Sequence, residues 1–417
     1  MKKVGILTTF YSFDTGYSLC AVVRDQLLAL TSIGYSPVLF VLPTFKDDEL
    51  VPPGTEVRKI VPQLILEPYK GTEYPEHWKE DVAKAREMFE KNMEDIEVLF
   101  CHDIFFIDTF IPYNIALREA HPKLKCRIYA WCHSAPSTRL LLENNPHANR
   151  FSWNFDDRVK LVYLNHDKVT ALAEYYGTWP SNVRVVYNAR DPRTFWGLDP
   201  FVVKLINEYN LLDKDVITVY PLSTPRMISG KGLDKVIRIH AEMQKLGMKT
   251  ALIVPNAHAN GHKDKRLISE TQVWASHIGL DHSSLVFTSL IDTPQHEMGV
   301  SSKIVSDLFR LANIFIFPTY SEVCSLVLLE AMMSGNLLVL NKEVQSLYEF
   351  GGADAAIYFD FTLRDTPKEN ESYFRDLALI TLNAFENSKP LQAKRRAFKN
   401  HSLEVMGRKL EQLIHEE

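Results

Sequence analysis

Short apolar runs rich in Val, Ile, Leu and Phe recur along the first half of the chain: Val4–Thr9, Pro37–Leu42, Val98–Cys101, Arg127–Trp131, Leu161–Leu164 and Val183–Tyr187. They show no polar alternation, which predicts strands buried on both faces, as in a parallel sheet. Leu19–Leu30 and Trp78–Met93, lying between them, carry helical periodicity. Strands alternating with helices imply right-handed crossovers and a doubly wound α/β layer. A second series begins at Val216–Pro221 and continues through Ala251–Pro255, Leu285–Thr288, Ile314–Pro318 and Leu337–Leu340. Its first helix, Gly232–Leu246, places Leu233, Val236, Ile237, His240 and Met243 on one stripe.

Between the two series, Ala189–Pro200 contains Asp-Pro twice and Trp196-Gly197, which reads as a linker. The expected architecture is α/β, two doubly wound Rossmann-like domains facing a cleft, over residues 1–195 and 196–388. Residues 389–417 are basic and then amphipathic, with no strand after them. They read as a C-terminal helix able to pack back on the first domain.

Composition narrows the class. The 417 residues are 46% hydrophobic and 24% charged, which excludes disorder, collagen and low complexity. The formal charge is −5 and no half carries a strongly basic arm. Cys20, Cys101, Cys126, Cys132 and Cys324 form no CxxC pair or disulfide framework, so a reducing cytoplasm is expected. No apolar run approaches the ~18–20 residues a spanning helix needs. Lys2-Lys3 followed by Val4–Phe10 is too short for a signal peptide and reads as a first strand.

Ligands of doubly wound sheets bind beyond the carboxyl ends of the strands, so the chemistry is sought in the turns that follow them. In the first such turn Gly16 precedes a helix, without the GxGxxG fingerprint of a dehydrogenase. The strand Val216–Pro221 runs into a loop holding Arg226 and the glycine-flanked Lys231. A planar fork and a point charge suit a diphosphate whose leaving group gains charge as a bond breaks. The alternative is a pair of surface charges on a loop. After Ile314–Pro318 come Glu322 and Glu330, which would lie ~80° apart on a single helix. With Glu322 in the loop and Glu330 on the helix, both can reach one ligand.

These residues resemble the retaining nucleotide-sugar glycosyltransferases of family 4, which have the two-domain GT-B fold. The match is strongest from Val216 to Gly352 and weak from Leu42 to Glu97. Glu322 to Glu330 looks like the family's E-x7-E element, and Arg226 with Lys231 like its R-x4-K pair. Tyr187-Asn188-Ala189-Arg190-Asp191 resembles the Pro-Asn-Gly-x-Asp segment before the interdomain linker. His133 stands where the family often carries an active-site histidine. By this resemblance the chain is a hexosyltransferase, moving a sugar from a UDP- or GDP-sugar to an acceptor hydroxyl with retention at the anomeric carbon. Glu322 would bind sugar hydroxyls, Glu330 the ribose, Arg226 and Lys231 the pyrophosphate, and amides near Ser325 a phosphate. Gly16 would admit the donor to the first loop. The family's glycine pair is Thr15-Gly16 here, its glycine between the glutamates is Ser325, and Asn188-Ala189 replaces Asn-Gly.

His102-Asp103, ending another first-domain strand, is a second candidate beside His133; a hydrogen-bonded structural role is the alternative for both. No cofactor is expected beyond the nucleotide-sugar co-substrate, and no metal. Asp213-Lys214-Asp215 has the DxD form of metal-dependent transferases but precedes a strand, and reads as a solvated turn. The favoured acceptor is a saccharide, glycolipid or small molecule. A hydroxymethylated DNA base is an alternative, for which the basic stretches Lys263–Arg266 and Lys394–Lys399, which read as solvated faces, would have to meet phosphates. A non-catalytic nucleotide-sugar-binding module is another.

Overall fold

The computed structural model describes residues 3–14, 16–70, 74–105, 107–133, 155–222, 231–255, 257–259, 261–292, 294–323, 325–362 and 370–416. The chain divides into two units: residues 1–191 with 401–417, and residues 192–400.

Unit 1 runs β1 (Lys3–Leu7), α1 (Ser18–Ser32), β2 (Ser36–Val41), β3 (Glu56–Lys59), α2 (Trp78–Asn92), β4 (Ile96–His102), α3 (Ile111–Ala120), β5 (Arg127–Cys132), β6 (Val159–Tyr163), α4 (Val169–Tyr176) and β7 (Val183–Val185). The strands form one parallel sheet in the order β3-β2-β1-β4-β5-β6-β7. Along β4, Val98 and Phe100 enter the core beneath α1, while Leu99 and Cys101 enter the one beneath α2 and α3. Successive side chains point to opposite faces and both faces are covered, so the strand reads as an unbroken apolar run. Gly5 is needed in β1, because a Cβ there would lie 2.8 Å from Leu99 and 2.9 Å from Phe40.

Unit 2 runs α5 (Pro192–Trp196), α6 (Pro200–Glu208), β8 (Val216–Val219), α7 (Leu233–Lys245), β9 (Thr250–Val254), α8 (His262–His277), β10 (Leu285–Phe287), α9 (Ser302–Leu311), β11 (Ile314–Phe317), α10 (Leu326–Met333), β12 (Leu337–Asn341), α11 (Gln345–Gly351), β13 (Ala356–Phe359), α12 (Glu371–Asn387) and α13 (Lys389–His401). Its strands form two parallel three-stranded sheets, β10-β9-β8 and β11-β12-β13. Asn313 clasps their inner edges together. Its amide donates to the Ile217 carbonyl (3.0 Å), its Oδ1 accepts from Ile217 N (2.9 Å) and its Nδ2 donates to Asp215 O (2.8 Å). Read across that clasp, unit 2 repeats the doubly wound strand order of unit 1. Two Rossmann-like α/β units are what the apolar runs imply.

The edge strands β3 and β13 were not legible. β3 is polar, held by Lys3–Glu56 (2.8 Å) and by Arg58 on Asp95 (2.5 Å), so it lacks the apolar run that marked its neighbours. The boundary between the two units, Asp191/Pro192, falls within the segment expected as a linker. α5 occupies part of it, and Asp199 caps α6 by accepting from Phe201 N (2.9 Å) while its own amide donates to Asp307 (2.9 Å).

The C-terminal pattern is two helices, not one, and they belong to different units. In α13, Lys394 donates to Ala312 O (2.6 Å), and Arg395 and Lys399 both grip Asp215. Asp215 is therefore a buried ion-pair partner rather than part of a solvated turn, and Asp213 pairs with Lys249 at 2.7 Å. The last helix, α14 (Leu403–Ile414), packs on α1 in unit 1, where a Cβ on Gly407 would come within 3.0 Å of Ile33. Arg127 and Arg184 hold Glu416, and Tyr129 donates to Leu413 O at 2.5 Å. The chain leaves and re-enters unit 1 at adjacent points, since Arg190 N donates to His401 O (2.9 Å).

Candidate functional site

In each unit the strand order reverses at one place, where sequential windings go opposite ways and a crevice opens at the carboxyl ends. That place is β1/β4 in unit 1 and β8/β11 in unit 2. The described candidates from the sequence fall at or beside these two points.

In unit 2, Lys231 and Gly232 stand at the start of α7, the helix that follows β8, and Pro318–Val323 follow β11 ahead of α10. Gly232, with φ of 77°, starts α7 directly against the end of β11; a Cβ there would lie 2.8 Å from the Pro318 side chain and 3.0 Å from its carbonyl oxygen. This close approach sets Lys231 beside the other loop, where its Nζ donates to Glu322 Oε1 at 2.6 Å and to Ser321 O at 3.4 Å. Tyr220 anchors the Lys231 carbonyl from below. The Glu322 main chain is pinned in turn by Ser346 Oγ on its carbonyl (2.7 Å). Asn341, at the end of β12, donates to Thr319 O (3.1 Å) and Phe361 O (3.2 Å) and accepts from Glu343 N (3.1 Å), tying the three carboxyl-end loops together.

Ser325 caps α10, its Oγ accepting from Leu328 N at 3.2 Å. Among the described residues no acceptor reaches the amides of Leu326 and Val327, the first of that helix. Such amides form a ready anion site. Glu330 lies one turn further on α10, half-buried, and burial holds its carboxyl above the ordinary value. Val323 and Leu326, at 87% and 70% exposed, flank the cluster with apolar surface. Arg226 lies outside the described residues.

In unit 1 the Gly16 amide folds back on Asp14 Oδ1 (2.8 Å), closing the turn before α1. Tyr17 then donates to both carboxylate oxygens of Asp103, at 3.0 and 3.1 Å. Asp103 sits in left-handed backbone, with φ of 67°, which costs free energy in a non-glycine residue and turns it away from the face of His102. His102, fully buried, meets His133 instead: His102 Nδ1 and His133 Nε2 are 2.8 Å apart, with ring centroids at 5.1 Å. The two candidates that appeared separate in sequence are one cluster, and β4 pairing beside β5 brings them together. Tyr17 was missed, because no spacing or motif distinguishes it from the aromatic residues around it.

Burial sets the electrostatics here. It lowers His133 to about 4 and His102 well below the ordinary imidazole value, the second imidazole reinforcing the shift at His102, so both rings are neutral at pH 7. Burial raises Asp103 to about 6, against the opposing Tyr17 hydrogen bond. Between an unfolded value of about 3.9 and that folded value, the native chain keeps a proton that the unfolded chain has lost. Asp103 therefore makes stability fall as pH rises through that window. Thermal unfolding midpoints should show a downward component from pH 4 to pH 7 that shrinks in Asp103→Asn; equal slopes for the two proteins would refute it.

No family model matches the chain, and no curated protein sequence matches it. Similar solved structures include a glycosyltransferase from Rickettsia africae ESF-5, with 12% identity, a TM-score of 0.39, and coverage of 99% of this chain and 98% of that one. An α,α-trehalose-phosphate synthase (UDP-forming) from Burkholderia xenovorans has 14% identity and a TM-score of 0.38, with 100% of both chains covered. Anabaena Alr3699/HepE, crystallised in complex with UDP, has 13% identity and a TM-score of 0.34, with 99% of both covered. TM-scores this low describe a distant overall likeness and assign no residue and no chemistry.

Proposed function

We propose that this chain is a retaining glycosyltransferase of the family 4 type. It moves a sugar from a UDP- or GDP-sugar to an acceptor hydroxyl without a metal. The observation that carries the reading is the Lys231–Glu322 pair, 2.6 Å apart at the point of strand reversal in unit 2, beside the open amides of α10. A preorganised cation next to helix N–H groups is suited to charge that develops on a departing diphosphate. In this reading Lys231 and Arg226 bind the pyrophosphate, the Leu326 and Val327 amides beside Ser325 take a phosphate oxygen, Glu322 accepts hydroxyls of the sugar, and Glu330 those of the ribose. The anomeric C–O bond to the diphosphate breaks as the acceptor oxygen bonds on the same face. The acceptor proton passes to the departing phosphate oxygen. By the same family resemblance, His133 of unit 1 hydrogen-bonds the sugar and Gly16 admits the donor to its loop. A saccharide, glycolipid or small molecule in the cytoplasm is the acceptor class.

The DNA alternative loses ground on the basic stretches. Lys265 and Arg266 are paired with Glu297 (2.6 Å) and Glu270 (2.7 Å). Lys394, Arg395 and Lys399 are turned onto Ala312 and Asp215. Among the described residues of the two stretches, these cations already have protein partners.

A thermal-shift panel of UDP, GDP, ADP and their sugars tests the donor site. One nucleotide should stabilise the chain, and Glu330→Ala should lose most of that gain. A flat response over the whole panel would remove the donor site, while binding without transfer would point to the non-catalytic module.

A further inference from the structure

The His102–His133 contact joins two neutral imidazoles through a single proton. Whichever ring donates it, the other ring must carry its own proton on the far nitrogen. His102 Nε2 is that far nitrogen on one side, and it is sealed from solvent with no partner among the described residues. If His133 donated, His102 would bury an N–H with no acceptor. If His102 donates, the sealed atom is a bare lone pair. An orphaned buried donor is the rarer arrangement in folded proteins, and leaving a buried polar group unmet costs about 1–3 kcal/mol. The ring is fully buried, with Trp131 at 5.5 Å and His133 at 5.1 Å between centroids, and has no room to swing to another partner.

We infer that His102 is a positioning residue: its Nδ1–H donates to His133 Nε2 and so fixes the proton of His133 on Nδ1. In that tautomer the Nδ1 edge of His133 is a hydrogen-bond donor rather than a base. This rests on the proposed function only in assigning the donor a task, binding a sugar oxygen. It also fits a reaction in which the acceptor proton leaves with the phosphate, since His133 in this tautomer has no lone pair to offer at that edge.

Two-bond proton–nitrogen spectra of the full chain labelled with 15N-histidine read the tautomer directly, with His133→Gln assigning the resonances. At pH 7 His133 should carry its proton on Nδ1. In His102→Phe that proton should move toward Nε2, and kcat for transfer should fall about tenfold with the donor KM unchanged, as for a lost transition-state donor. His102→Asn, whose amide nitrogen can donate from nearly the same place, should restore both the spectrum and kcat. A wild-type His133 protonated on Nε2, or a tautomer unaltered in His102→Phe, would overturn the inference. If His102→Phe does not fold, the wild-type spectrum decides alone. The expected tautomer in a chain that transfers from no nucleotide sugar would support this inference and overturn the proposed function.

Discussion

Lys231→Ala is expected to lower kcat/KM for sugar transfer on the order of a thousandfold, with little change in the unfolding midpoint. The two effects separate because of where the side chain sits. Lys231 and Glu322 are 25% and 19% exposed, so water screens their mutual attraction and its share of folding stability is small. In the proposed reaction the same ammonium, fixed against the Glu322 carboxylate, faces charge that appears only as the donor bond breaks. Removing it also frees Glu322 to swing, so in the proposed reaction sugar orientation should suffer along with leaving-group stabilisation. Lys231→Arg keeps the charge but loses the point geometry, and intermediate activity is expected. Steady-state kinetics with whichever nucleotide sugar stabilises the wild type is the measurement; Lys231→Ala activity within tenfold of wild type would sink the assignment.

Cutting the chain after Asn400 is expected to unfold unit 1 and spare unit 2. α14 buries Leu403, Met406, Leu410, Leu413 and Ile414 against α1. At about 1.5–3 kcal/mol for each buried apolar side chain, an upper estimate because the unfolded chain is itself partly compact, the helix contributes on the order of 10 kcal/mol. A whole domain commonly has about 5–15 kcal/mol in hand. The cut also strips Arg127, Tyr129 and Arg184 of their partners on the last turn. Hydrogen exchange should then show amides of β1, β2 and β4 losing protection while those of β8 to β12 keep theirs. Retained protection throughout unit 1 would contradict this account of α14.

The layering of both units was legible because their central strands are covered on both faces and had to be continuous apolar runs. Leu99 and Phe100 point in opposite directions and are equally buried. β3 escaped because an edge strand needs only half that cover, and its Glu56 and Arg58 pair with Lys3 and Asp95 in solvent. Candidate site residues stood out where a turn after a buried strand carried charge, as at Lys231 and Glu322, which the fold brings together. What holds those side chains did not. Asn341, Ser346 and Tyr17 act through partners far along the chain, and no local spacing signals a contact of that kind. Lys394, Arg395 and Lys399 misled for the converse reason, since a basic run looks solvated until its distant acceptors, Ala312 and Asp215, are known.

The placement of α14 has a consequence for biosynthesis. A ribosome completes the seven strands of the unit 1 sheet early, yet the face of α1 that Gly407 and Leu410 cover stays bare until the whole of unit 2 has been made. Domains of nascent chains ordinarily close in the order they emerge. Here the later-born unit can close first, and the earlier one waits with apolar surface showing. Chaperone engagement during translation should therefore concentrate on α1, and should end when residues 401–416 leave the exit tunnel.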